Sequence, residues 1–311
     1  MPSDFNKTVA LTGATGFLGA YLIDHLVTEG YHVRALTRRP QKEKDGVTWV
    51  TGDVELPESL SLLAQGASIF IHGAGLTKAL SLEGFRRVNK MGAWNALQAA
   101  KHSKVKKFIM ISSMAAREPS LSHYALSKWE GDQALHTFKW PFDWMIIRPG
   151  GIYGPGDYEF LPMFKMAKQG FLFAAGSQNN RFALIHADDM ARMIVQQLSE
   201  DFNQSTIEGG DANSQGYTAQ DLKNRVAPLY PNGQIKTLTI PWLVLKLIGY
   251  INSLKAILTR KPELLSHKKI NELTHSDWTV QSPPPFPFKP KYTLEEGFSE
   301  TINWYKQKNL L

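Results

Sequence analysis

Residues 7–19, KTVALTGATGFLG, constrain the fold of this chain more than any other stretch. Residues 7–12 are a short apolar run with the composition of a buried strand. The run passes straight into Gly13-Ala14-Thr15-Gly16-Phe17-Leu18-Gly19, and a helical pattern, AYLIDHLV, comes after it. A strand, a glycine-rich turn and a helix start in this order gather unpaired backbone N–H groups and the positive end of a helix dipole, which together cradle a phosphate. Gly13 and Gly16 permit the tight turn and close approach of an anion, and Gly19 lets the helix lie against the strand. The spacing, G-x-x-G-x-x-G, is one residue longer than the common dinucleotide fingerprint. Thr15, Phe17 and Leu18 complete the loop and stand with the glycines as candidate cofactor contacts.

The chain beyond this turn has the rhythm of a parallel sheet. A second strand at 32–37 arrives after a helix of about ten residues, as in a βαβ unit. A site for NAD usually places an acid near the end of this strand to hold the ribose 2′-hydroxyl. Here no acid lies between Glu29 and Glu43, whereas Arg34, Arg38 and Arg39 do. Arg38 is suited to a 2′-phosphate, so NADP is the expected cofactor and NAD the second choice. The other reading of these arginines is a basic loop.

Strands and helices keep alternating: a strand at 47–54 through Gly52-Asp53-Val54, a helix at 56–64, and a strand at 68–72 leading into Gly73-Ala74-Gly75. A long helix at 83–103 comes next, then a strand at 108–111 ending in Ser112-Ser113, a helix around Tyr124, and a strand at 143–148 running into Pro149-Gly150-Gly151. Six strands with helical crossovers predict an α/β fold, a doubly wound parallel sheet with ligands at the carboxyl ends of its strands. Gly13, Asp53, His72 and Ser113 all fall at such ends.

Chemistry concentrates in 107–128. Ser112 and Ser113 present hydroxyls at a strand end; Tyr124 and Lys128 are four apart in a helical segment and therefore share a face. A free Tyr titrates near roughly pH 10, and a fixed ammonium close by favours the phenolate. Such a Tyr can exchange a proton with a substrate hydroxyl or carbonyl while a Ser holds the same oxygen. Tyr-x-x-x-Lys alone also occurs by chance on surface helices. It acquires meaning from the cofactor cradle beside it.

Composition narrows the classes. With 311 residues, 43% of them hydrophobic and 20% charged, the chain is globular and long enough for more than one core. It has no cysteine, which excludes disulfides and thiolate metal sites and fits a reducing compartment; no metal is expected. The first residues carry no basic segment followed by an apolar one, so a cytoplasmic protein is expected. Net charge is +7, with basic residues spread over 34–44, 101–107 and 260–269 and no aromatic interleaving. That is a solvated basic surface rather than a nucleic-acid site.

In order along the chain stand TGATGFLG at 12–19, Gly52-Asp53-Val54, His72-Gly73-Ala74, Val88-Asn89, Ser112-Ser113, Tyr124-x-x-x-Lys128, Arg148-Pro149-Gly150, Tyr153-Gly154-Pro155-Gly156 and His186-Ala187-Asp188-Asp189. Together with Asp277-Trp278 and YTLEEG at 292–297, they resemble the extended short-chain dehydrogenase/reductase family, which includes nucleotide-sugar epimerases, dihydroflavonol-type reductases and hydroxysteroid dehydrogenases. The resemblance implies a Rossmann sheet. It makes Tyr124 the proton donor or acceptor, Ser113 the hydroxyl that orients the substrate oxygen, Lys128 the holder of the nicotinamide ribose and Asn89 its support through water. Asp53 with Val54 would contact the adenine, and Gly73, Ala74, Pro149 and Ile152 would line the cofactor. Departures are informative: Met114-Ala115 stand where dehydratases of the family carry Asp-Glu, which argues against dehydration. Phe182 replaces an Arg that many sugar-nucleotide members carry four residues before the His of His-x-Asp-Asp, with Arg181 one place off, and the gap from Ser113 to Tyr124 is short.

Residues 1–150 are therefore expected to form the dinucleotide-binding domain and 151–311 a smaller mixed α/β substrate region interwoven with it. Asp188 and Asp189 are expected to cap a helix at 190–198. In 241–258, Leu243, Leu247, Ile251, Leu254 and Leu258 form a stripe at steps of three and four, too short and too interrupted by Lys246, Asn252 and Lys255 to span a membrane. Three readings stand: a helix buried in a core, a lid with Trp242, Leu245 and Ile248 facing an apolar substrate, or an interfacial helix on a membrane. The function expected is an NADP-dependent oxidoreductase interconverting a carbonyl and a secondary alcohol on a small, partly apolar substrate, as a monomer or homodimer without nucleic acid. A nucleotide-sugar epimerase with tightly bound NAD is the alternative, and a non-catalytic dinucleotide sensor or scaffold the reading from another class.

Overall fold

Short apolar runs separated by glycine turns give the chain its elements. The structure is a computed structural model describing residues 7–200, 204–230, 233–259 and 267–311. The start of the chain and most of the basic 260–269 segment lie outside the described residues. The chain divides into two compact units, one of residues up to Arg148 with Ala191–Ile207, the other of Pro149–Met190 with Glu208–Leu311.

In the first unit β1 (Thr8–Thr12) leads through the glycine turn to α1 (Phe17–Thr28), then to β2 (His32–Thr37), β3 (Val47–Thr51), α2 (Pro57–Ala64) and β4 (Ile69–His72). Next come α3 (Leu82–Phe85), a π-helical stretch (Arg86–Gly92) and α4 (Ala93–His102), which together replace the single α-helix expected at 83–103. β5 (Lys107–Ile111), a 3₁₀ turn (Met114–Arg117), α5 (His123–Thr137) and β6 (Asp143–Pro149) complete it. β4 and residues 108–111 of β5 are buried throughout, the pattern of parallel strands covered on both faces. On one face Leu60, Leu63, Ala96, Leu97 and Ala100 pack on Phe70, Phe108 and Trp144. The rings of Phe70 and Phe108 stack at 5.3 Å.

The second unit contains β7 (Gly151–Tyr153), α6 (Leu161–Lys168), β8 (Phe171–Ala175), β9 (Arg181–Phe182) and β10 (Leu184–His186). α7 (Ala187–Gln197) and β11 (Ser205–Gly209) run across the division between the units. α8 (Ala219–Val226), β12 (Lys236–Ile240), α9 (Trp242–Thr259), α10 (His267–Thr274), β13 (Asp277–Trp278) and α11 (Leu294–Gln307) come after them. Its strands pair in parallel twos, β7 with β10, β8 with β12 and β9 with β13. Tyr153, Phe164, Phe298 and Tyr305 form its aromatic centre, and Gly297 is required there because a Cβ would lie 2.5 Å from the Tyr153 hydroxyl.

The main sheet has the order β11-β6-β5-β4-β1-β2-β3, parallel from β6 to β3. This is the doubly wound Rossmann arrangement, and its order reverses between β1 and β4, where such sheets open a crevice for dinucleotides.

Two expectations need correction. α7 begins at Ala187, so Asp188 and Asp189 sit inside its first turn instead of capping it. The buried Asp189 carboxylate accepts the backbone N–H groups of Lys291 at 2.8 Å and Tyr292 at 3.0 Å, clasping the approach to α11. The apolar stripe of α9 is not a core stripe: Leu243, Leu247, Ile251, Leu254 and Leu258 are all exposed. Of the three residues expected to face a substrate, Trp242 and Ile248 are exposed and Leu245 is buried.

Candidate active site

The glycine turn after β1 is shaped by contacts that leave no room for side chains. Gly13 has φ +75°, and a Cβ there would lie 2.5 Å from the carbonyl carbon of Gly73. A Cβ on Gly19 would lie 2.1 Å from the Gly13 carbonyl oxygen, so α1 can come this close to the turn only with glycine. The Gly16 N–H donates to the Gly13 carbonyl at 3.0 Å and closes the loop. Gly16 is also the N-cap of α1, with no side-chain cap and no acid in the first turn. The first N–H groups of the helix therefore face outward without a competing anion. Thr15 and Gly16 are exposed at the rim, and Phe17 and Leu18 are half-buried, the Phe17 ring edge-on to Tyr21 at 5.9 Å. Such a cradle fits a dinucleotide pyrophosphate.

Across the switch point, β4 is tied to β1 beyond its last residue. The Gly73 N–H reaches the Thr12 carbonyl at 3.2 Å and the Ala74 N–H reaches the Thr12 hydroxyl at 3.2 Å. The same hydroxyl lies 2.9 Å from Nδ1 of His72. Gly73 and Ala74 are thus fixed as the second wall of the crevice. At the end of β2, Arg38 and Arg39 are exposed, and the Thr37 hydroxyl donates to the Arg39 carbonyl at 2.6 Å, holding this turn. Asp53 sits in the turn after β3, its Oδ1 accepting the Glu55 N–H at 3.0 Å, while Val54 is buried beneath it.

Ser113 lies directly after β5 as the N-cap of the 3₁₀ turn, and its Oγ accepts the Ala115 N–H at 3.2 Å. That bond uses a lone pair and leaves the hydroxyl proton available. Ser122 caps α5 through the Ala125 N–H at 2.9 Å, so Tyr124 occupies the first turn, half-buried, with its ring 6.0 Å from that of Phe85. One turn later Lys128 is buried and donates to the Ile111 carbonyl at 2.8 Å. Its Nζ borders the loop after β4: a Cβ on Gly75 would lie 3.6 Å from it and 3.3 Å from Oδ1 of Asn89.

Asn89 belongs to the π-helical stretch. Its Oδ1 accepts the Leu76 N–H at 2.8 Å, and its amide donates to the Leu76 carbonyl at 3.1 Å and the Ser127 hydroxyl at 2.9 Å. It fastens the loop after β4 to α5. Gly131 permits this, since a Cβ there would meet the Asn89 carbonyl at 2.6 Å. A π turn in a helix commonly marks a functional position. The resemblance implies support of Lys128 by Asn89 through water; the bond seen here is the direct one from Asn89 to Ser127.

Next along α5 from Lys128 is a buried ion pair whose acid, Asp132, stands in none of the quoted motifs. Asp132, one further turn along α5, accepts from Arg148 at the end of β6 through Nε at 3.0 Å and Nη2 at 2.9 Å. Burial pushes the Lys128 ammonium down to about 8, and the Asp132 charge opposes that drop. Burial likewise raises the Asp132 carboxyl, with Arg148 the main counterweight. His72 is fully enclosed; burial first, and the Lys128 charge second, lower it to about 3, so it is neutral. The available signal for Asp132 was its spacing, four residues beyond Lys128 on the same helix face. Of the remaining expected cofactor contacts, Pro149 ends β6, and Ile152 lies in β7 opposite Ile185 of β10.

Comparison with known proteins gives the family of the chain. The model of the NAD dependent epimerase/dehydratase family matches residues 9–208. A ceramide reductase of Caulobacter vibrioides is 39% identical over 98% of this chain and 96% of that protein. A UDP-glucose 4-epimerase of Vibrio cholerae is 26% identical over 97% of each chain. Among solved structures, the Thermus thermophilus UDP-glucose 4-epimerase in complex with NAD aligns with a TM-score of 0.69 and 18% identity over 96% of this chain and 99% of that one, a likeness of fold. With the family model covering the cradle and the Tyr-Lys helix, and one relative similar along almost the whole length, the chain belongs to the NAD-dependent epimerase/dehydratase family and is an NAD(P)-dependent oxidoreductase or epimerase of the extended short-chain dehydrogenase/reductase type.

Proposed function

We propose that this protein is an NADP-preferring oxidoreductase that interconverts a ketone and a secondary alcohol on a long-chain lipid of ceramide type. The observation that carries the substrate class is the 39% identity to a ceramide reductase along 98% of the chain. It agrees with Phe182 standing where many sugar-nucleotide members of the family carry an Arg. The exposed Arg38, with no acid between Glu29 and Glu43, supports NADP.

A bound nicotinamide supplies the hydride for reduction and takes it up in the reverse direction. Tyr124 passes its phenolic proton to the substrate oxygen as the carbonyl carbon is reduced, and recovers it in oxidation. Ser113 donates its hydroxyl proton to the same oxygen and orients it; the Ala115 N–H on its Oγ fixes the rotamer. Lys128, charged below about pH 8, holds the ribose and favours the phenolate of Tyr124. Asn89 keeps the loop after β4 fastened to α5, and the glycine turn receives the pyrophosphate.

NADPH oxidation with a ceramide-type ketone in detergent micelles tests the substrate, and a UDP-sugar serves as the comparison. Turnover of the lipid ketone is expected, with NADPH favoured over NADH by about 1–3 kcal/mol, the scale of charge-assisted bonds to the 2′-phosphate. Epimerisation of the UDP-sugar without net cofactor oxidation would replace this reading with the epimerase. Equal affinity for NADH would remove the NADP preference.

A further inference from the structure

α9 reverses the usual arrangement of an amphipathic helix. Among its residues of described burial, Leu245 and the small Gly249 are buried and Asn252 and Ser253 half-buried. Its large apolar residues point away: Leu243, Leu247, Ile251, Leu254 and Leu258 lie at steps of four, four, three and four and are 58% to 76% exposed. Trp242, Val244, Ile248 and Tyr250 are exposed beside them. The chain enters α9 from β12 through Pro241, and Leu238 of that strand is exposed opposite Phe173 of β8, with Phe171 exposed two residues before. A soluble monomer seldom presents so continuous an apolar face to water.

The chain segments that carry this face are basic. No Asp or Glu occurs from Leu222 to Pro262, while Lys223, Arg225, Lys236, Lys246, Lys255, Arg260 and Lys261 do. None occurs from Phe160 to Ala187 either, the stretch that contains α6 and β8, and Lys165, Lys168 and Arg181 lie in it. Lys246 sits 4.1 Å over the ring of Trp242, half-buried along the helix beside the apolar stripe. Leu, Ile, Trp and Tyr outward with Lys alongside and acid absent is the chemistry of a helix lying in the boundary between headgroups and acyl chains. Among the described residues no helix is long and apolar enough to cross a membrane. A second copy of the chain is a poorer occupant: an isologous contact would bring two basic segments of the same chain face to face.

We propose that the face formed by α9 with Phe171, Phe173 and Leu238 docks on an anionic lipid bilayer, with its lysines among the headgroups. In its purpose, giving the enzyme access to a substrate that resides in the bilayer, the inference rests on the lipid-substrate reading; docking itself is measured without turnover.

The full chain is sedimented with vesicles of phosphatidylcholine alone and of phosphatidylcholine mixed with phosphatidylglycerol. Binding to the mixed vesicles is expected to be tighter by about tenfold or more and to weaken as salt is raised. Leu247→Glu with Leu254→Glu should lower that affinity by at least about tenfold, while the melting temperature and the turnover of a ketone in detergent micelles stay as in the wild type. Absence of binding to mixed vesicles, binding that ignores the double substitution, or a wild-type dimer that the substitution splits would each overturn the docking proposal. Vesicle binding without turnover of the ceramide-type ketone upholds docking and removes the lipid substrate. Micellar turnover without vesicle binding removes docking and leaves the substrate reading in place.

Discussion

The Nζ of Lys128 lies 2.8 Å from the carbonyl oxygen of Ile111, so the last residue of β5, just before Ser112 and Ser113, also anchors the ammonium on the neighbouring helix. Strand end and helix face are thereby fixed to each other before any ligand arrives. Tyr124→Phe is expected to retain cofactor affinity and lose turnover by roughly 100-fold or more, the scale of general acid-base catalysis. Lys128→Met should weaken both, because it removes the charge next to the loop after β4 as well as the bond to β5. Cofactor titration and steady-state kinetics on the two variants check this. Full turnover in Tyr124→Phe would end the catalytic assignment.

Asp132, held by Arg148, is the charge that favours the ammonium of Lys128. Replacing Asp132 by Asn leaves Arg148 with a half-empty buried contact, which should cost about 3 kcal/mol of stability. It also withdraws the one effect that opposes the burial-driven drop at Lys128. The charged form of Lys128 then disappears at lower pH, and the high-pH limb of cofactor binding should move down from about 8. A merely structural pair would lower stability and leave that limb where it is. Affinity for the cofactor measured from pH 6 to 10 separates the two.

Gly19 and Gly13 make a geometric test of the cradle. Gly19→Ala puts a Cβ 2.1 Å from the Gly13 carbonyl, which only a shift of α1 relieves. Such a shift turns the helix N-terminus away from the anion it would face. Overpacking of this kind costs typically 1–3 kcal/mol, and cofactor affinity should fall by more than stability alone explains. Gly66→Ala is the control, since nothing lies within 4 Å of its Cβ, although its φ of +74° costs some strain. Equal cofactor binding by Gly19→Ala and the wild type would remove the turn from the binding site.

The doubly wound parallel sheet and the position of the cradle were legible because their signals are local, apolar runs and glycines at fixed offsets; the seventh strand, β11, was not, since it returns to the sheet from beyond residue 200. Nor was the π turn at 86–92. Nothing in RRVNKMG marks a change of winding; the close approach of Gly131 to the Asn89 carbonyl and the bonds from Asn89 to Leu76 and Ser127 are long-range. For the same reason Asp188 and Asp189 looked like caps, because the backbone that Asp189 clasps at Lys291 and Tyr292 lies about a hundred residues away in sequence. On α9 the stripe was visible and its environment was not, because hydrophobic periodicity identifies a face and leaves open what covers it.

His72 ties the crevice to acid stability. It is neutral in the folded chain, lowered to about 3 mainly by burial, whereas in the unfolded chain it takes up a proton near its ordinary 6.5. Between these values the unfolded state binds the extra proton, so this residue's contribution to stability is complete above pH 6.5 and is lost progressively as pH falls toward 3. At about pH 4 the loss should be on the order of 3 kcal/mol. His72→Asn keeps a polar partner for the Thr12 hydroxyl and cannot titrate. The variant should be somewhat less stable than wild type at pH 7, through imperfect replacement of the 2.9 Å contact, and should lose less stability on acidification. Urea unfolding of both proteins at pH 7 and at about pH 4 makes the comparison, with the burial-lowered His186 of the second unit common to both. If the two proteins lose the same stability between those pH values, His72 is not the group through which acid opens the crevice between β1 and β4.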